Sequence, residues 1–168
     1  MRIHKPSVEP PMVVVGWQGI TAEILPDWHI AAISGDYQSG YVRYDDDVMP
    51  RLEIKWASET GFVNLEAVLD KYLRELQKGR RKGDPEVLVE RDVQLISRGK
   101  RKKSGLKCFQ WRAETQGHGA AWVCKDCGRT MIAQVTNPAD MDPEAAKELA
   151  ATILLGIQDH PSEDRILW

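Results

Sequence analysis

The chain has 168 residues, 42% of them apolar, with 23 Lys and Arg against 25 Asp and Glu. That composition suits one globular domain with a single core, and no stretch approaches 18 consecutive apolar residues, so no membrane-spanning helix is expected. The opening MRIHKPSVEPP is too polar and proline-rich for a secretory signal, and three cysteines make no disulfide framework, so a reducing, cytoplasmic setting is expected.

Residues 1 to 11, with Pro6, Pro10 and Pro11, read as an extended arm, and residues 12 to 168 as a single α+β domain. Val13 to Trp17, Ile20 to Leu25, Trp28 to Ile33, Tyr41 to Tyr44 and Leu52 to Trp56 are β-branched or aromatic segments cut by turn formers. They predict a meander of antiparallel strands. In the last of them Leu52, Ile54 and Trp56 alternate with Glu53 and Lys55, which puts the apolar side chains on one sheet face. Asp45, Asp46 and Asp47 lack the glycine and later glutamate of a calcium loop, so they read as a solvated hairpin tip.

The period then changes. Leu65, Val68, Leu69, Tyr72, Leu73 and Leu76 recur at three- and four-residue steps, which predicts an amphipathic helix over 64–78, capped by Asn64 and stopped by Gly79. Strand-like runs follow at Glu86 to Ser97, Leu106 to Glu114, Gly119 to Cys124 and Arg129 to Thr136. A second helix is predicted over 142–158, where Asp142-Pro143-Glu144 supplies a cap, a first-turn proline and a favourable charge. The order predicts an α+β fold, a largely antiparallel sheet covered by two amphipathic helices, with Leu65, Val68, Leu69, Tyr72, Leu76, Leu149, Ile153 and Ile157 in the core. After Pro161 the apolar ending Ile166-Leu167-Trp168 reads as the first strand of a further domain in a longer chain.

The stretch from Ile20 to Leu76, in which a strand runs into Pro26-Asp27-Trp28 and antiparallel strands lead on to an amphipathic helix, resembles the PsbP-like fold family. The resemblance implies a PsbP-like sandwich. Families of that fold are mostly non-enzymatic binding or assembly proteins, among them photosystem extrinsic subunits and a Ran-binding nuclear-transport factor, so it also implies a module with a protein partner. The Cys-x-x-Cys turn and the start without an export signal depart from the pattern and argue against a photosystem role.

The sharpest local feature is Cys124-Lys125-Asp126-Cys127-Gly128-Arg129. Two thiolates on a tight turn closed by glycine form half of a zinc knuckle. A closed zinc site needs four donors; Cys108 and His118, on or beside neighbouring strands, are the favoured completion, ahead of His4, His29 and His160. A four-cysteine site shared by a homodimer is the other route, and a plain hairpin turn with small buried cysteines is the alternative to any metal. A thioredoxin-like redox role fits less well, because that motif should open a helix. His118, between Gly117 and Gly119, reads as exposed and flexible.

Residues 78 to 107 carry a local charge of +7 within a chain of net charge −2. The clusters Arg80, Arg81, Lys82 and Lys100, Arg101, Lys102, Lys103 are candidates for anion or nucleic-acid binding. If Glu86 to Ser97 is one strand they lie roughly 35 Å apart, and neither carries interleaved aromatics for base stacking, so solvated loops are the simpler reading. The six tryptophans mostly fall in strands and read as core residues. No Gly-x-Ser-x-Gly, phosphate-loop or dinucleotide-binding motif is present, so a binding or assembly module is expected rather than an enzyme.

Overall fold

The computed structural model describes residues 11–58, 64–78, 80–95 and 105–160. In chain order the elements are β1 (Val13–Trp17), β2 (Ile20–Ile24), β3 (His29–Gly35), β4 (Ser39–Asp45), β5 (Pro50–Ser58), α1 (Leu65–Gln77), β6 (Leu88–Arg91), β7 (Lys107–Arg112), β8 (Thr115–Val123), β9 (Arg129–Pro138) and α2 (Pro143–Leu155). Seven strands form one antiparallel sheet in the order β3-β4-β5-β9-β8-β7-β6, and β1 and β2 form a separate hairpin. The alternation read in β5 decides which way the sheet faces. Leu52, Ile54 and Trp56 join Val42, Trp122 and Met131 in the larger core, while Glu53 and Lys55 stay half-buried on the other side.

That larger core is closed by two different elements. The hairpin contributes Ile20, Ala22 and Ile24, and α2 contributes Ala150, Ile153 and Leu154. The opposite face carries a smaller cluster in which Leu69, Tyr72 and Leu73 of α1 pack on Phe109, Ala121 and Ile132. Both helix starts follow local chemistry: Asn64 accepts from the Ala67 N–H at 3.2 Å and Asp142 from the Ala145 N–H at 3.0 Å.

The expected architecture of a sheet covered by two amphipathic helices does not form. The molecule is mostly sheet, and each helix is only 13 residues long. On the larger core the hairpin shares the covering with α2, and α1 alone packs on the other face. The buried set of α2 extends beyond one stripe to Ala151 and Leu155, because the chain around it wraps more than one side. Periodicity reports that a helix has an apolar face, but it does not report how much sheet that face must cover.

Other expectations change with it. β2 does not continue a meander into β3, since the hairpin folds over the sheet instead. Within the described part of the run Glu86 to Ser97 only the four-residue β6 forms, followed by Asp92 at a positive φ of 57°. Of the expected core, Leu69, Tyr72, Ile153 and Ile157 are buried, Leu65, Leu76 and Leu149 pack partly buried against it, and Val68 is half-buried. The helix over 142–158 stops at Leu155. The arm at residues 1–10, the helix stop at Gly79, Lys100 to Lys103 and the Ile166-Leu167-Trp168 ending lie outside the described residues. Among the described residues no helix is long and apolar enough to cross a membrane.

Strand β8 shows why small residues were needed. A Cβ on Gly119 would sit 2.3 Å from Phe109 Cζ, and one on Gly117 2.3 Å from the Trp111 ring. The two glycines let aromatic rings of β7 lie flat across their neighbour. Gly119→Ala is therefore expected to cost roughly 1–3 kcal/mol through overpacking, read as a lower urea midpoint with an unchanged m-value.

Candidate metal centre

The β8–β9 turn is built as a knuckle. Arg129 accepts from the Cys124 N–H and Cys124 from the Gly128 N–H, each at 2.9 Å, and Gly128 takes a φ of 74° that a side chain would resist. The Cys127 N–H points at Cys124 Sγ, 3.4 Å away. The segment after α2 arrives beside this turn because Gln158 pairs with Thr21 of β2 through two 2.9 Å backbone hydrogen bonds. It delivers Asp159 and His160. The donor atoms of Cys124, Cys127 and His160 lie within 4.8 Å of one another, and His160 Nδ1 is buried without a hydrogen-bond partner.

This trio could hold a metal ion. Bonds of about 2.3 Å to sulfur and about 2.0 Å to nitrogen place tetrahedral donors roughly 3.6 Å apart, so no pair of donors needs to close by more than about 1 Å. Two soft thiolates and an imidazole match zinc's preferences, and three donors leave one tetrahedral position for water or a further ligand.

Arg129 supplies the surrounding electrostatics. Its side chain is fully buried, donating to the carbonyls of Gln18 and Asp159 at 2.7 Å each, to Tyr37 O at 3.4 Å and to Cys127 Sγ at 3.4 Å. The guanidinium also lies 4.0 Å over the Tyr37 ring. Burial raises the Cys127 thiol, but donation from Arg129 together with contacts to Cys124 and His160 outweighs it, and the group sits below the ordinary thiol range. Cys124 is pushed above that range, chiefly by burial. Metal coordination would draw both to the thiolate form.

The structure separates the other sequence candidates from this group. Cys108 is buried in β7 opposite Ala120, which lies four residues, roughly 13 Å, along β8 from Cys124. His118 is two residues farther along β8, and it is not exposed: it is 5% exposed in mid-strand, on the sheet face that carries α2. Burial, then Lys147 and Arg112, lower its pKa to about 4. Arg80 is tied by two hydrogen bonds to Glu114 and one to Pro85 O, whereas Arg81 and Lys82 are exposed. Trp56, Trp111 and Trp122 direct their indole N–H to Asp36 O, Gln134 and Asp159, the satisfied core role expected of them. Residues 45–47 form a turn in which Asp46 accepts from the Val48 and Met49 N–H groups and pairs with Arg51. Sequence spacing places His160 behind Cys108 and His118 and assigns no role to Arg129. Only the residue's place directly after the Cys-x-x-Cys-Gly turn hinted at its role.

Two outcomes follow from these charges. Arg129→Met leaves three carbonyls without their donor and is expected to cost about 3–5 kcal/mol in denaturant unfolding. His118 titrates near 4 when folded and near 6.5 when unfolded, so the unfolded chain binds the extra proton between those values. Stability should be full above pH 6.5 and decline as pH falls toward 4, and His118→Gln should flatten that slope in pH-dependent urea titrations. Comparison with protein-family models gives no match for this chain, and comparison with curated proteins gives none either.

Proposed function

We propose that this chain is a zinc-stabilised binding module, with a structural ion held by Cys124, Cys127 and His160. The observation that carries the reading is the convergence of three metal-type donors from two segments more than thirty residues apart. An ion there would lock the chain after α2 to the β8–β9 turn, with Arg129 donating to one of its thiolates, as supporting groups around metal ligands do. The open tetrahedral position would take water. No complete catalytic constellation accompanies the trio among the described residues, which favours binding over turnover.

A protein partner is the favoured ligand, as the PsbP-like resemblance also implies. Val13, Val14 and Trp17 on β1 and Ile30 and Ile33 on β3 are exposed apolar side chains on strands that each have one unpaired edge. The anion-binding reading through the basic loops is weaker, since Arg80 is already neutralised by Glu114.

Metal analysis tests the central claim. Protein purified without chelators should carry about one zinc per chain, and chelation should lower the melting temperature by several degrees. Cys124→Ser and His160→Ala should each remove the zinc and the chelator effect. Less than about a tenth of an equivalent, with no response to chelator, would refute it.

A further inference from the structure

We propose that the cleft between α2 and strands β6 to β8 is a binding site for a small oxyanion, a carboxylate or phosphate group held by Arg112, Lys147 and His118. The cleft has a volume of about 320 Å³ and lies far along β8 from the cysteine knuckle. It is lined by Leu88 of β6, Arg112 of β7, Gln116 and His118 of β8, and Glu144 and Lys147 of α2.

Three observations converge there. The His118 imidazole is 5% exposed, and its Nδ1 is buried with no partner. A buried polar group without a partner costs about 1–3 kcal/mol, so a native site of this kind calls for a ligand or an ordered water. Arg112 and Lys147 form no ion pair among the described residues, and after burial their charges are the next causes that disfavour protonation of the ring. A neutral ring still carries one N–H and donates without needing a proton from solution. The positive end of the α2 dipole opens on the same cleft through Pro143 and Glu144.

Two carboxylates also line the cleft: Glu90 accepts from Gln110 Nε2 at 2.7 Å, and Glu144 is exposed to solvent. The arginine-lined cleft on the other sheet face makes a contrast. There Arg43, Arg51 and Arg80 are all paired, with Asp45, Asp46 and Glu114, and no unpaired cation remains for a ligand. Leu88 and Pro143 offer an apolar surface for the body of a small organic acid beside its charged head.

The test is an imidazole-region nuclear magnetic resonance titration of the whole 15N-labelled chain at pH 7, using inorganic phosphate and acetate as probes against sodium chloride of matched ionic strength. Saturable movement of the His118 resonances with at least one probe, absent with chloride, is expected; the tighter probe identifies the headgroup. Arg112→Gln and Lys147→Gln should each weaken that response at least about fivefold. Glu144→Gln removes a rim carboxylate and should tighten it about twofold or more, a gain that loss of folding cannot mimic. No saturable shift with either probe, or a shift that all three variants leave unchanged, overturns the proposal.

Discussion

A buried guanidinium organises one end of this molecule. Arg129 is fully buried, so every one of its contacts has to be supplied by the fold. The carbonyls come from the β1–β2 turn, the β3–β4 turn and the segment after α2, and the sulfur comes from its own hairpin. Four pieces of chain distant in sequence are thereby held at one point. Any rearrangement that separates them strands a charge in the interior, and that penalty makes this end specific rather than merely apolar.

The same node brings the metal-type donors together. Cys124 and Cys127 are local, fixed by a four-residue turn, whereas His160 arrives because Asp159 is held from both sides: its carbonyl by Arg129 and its carboxylate by Trp122 Nε1 at 2.6 Å. Gln158 adds a two-bond bridge to β2. The histidine is placed by its neighbours in the chain and by its ring's contact with Cys127, while its Nδ1 remains buried without a partner.

Helix α2 joins this end to the other. Its C-terminal side leads to Asp159 and the knuckle, and its N-terminal side lies over Gln116, whose amide donates to Pro138 O and Met141 O at 2.9 Å each. Strand β8 beneath it is lined with glycine and alanine, so large side chains from β7, β9 and both helices close over it from either face. Polar residues buried along such a strand are necessarily few. His118 stands out for that reason, with Lys147 and Arg112 close enough to act on its ring.

Much of this was legible from local patterns. The alternation of Leu52, Ile54 and Trp56 fixed a sheet face, Asn64 and Asp142 marked both helix starts, and the Cys-x-x-Cys-Gly turn announced a knuckle. Such signals live within a few residues of one another, where backbone periodicity and capping chemistry act. What tertiary structure alone decided was long-range: that the hairpin, not a helix, closes half of the larger core, that His160 rather than Cys108 or His118 stands by the cysteines, and that Arg129 is buried at all. No spacing rule reaches those facts, because each depends on where separate elements pack, and packing is set by the total apolar area and the few buried charges that must be satisfied together.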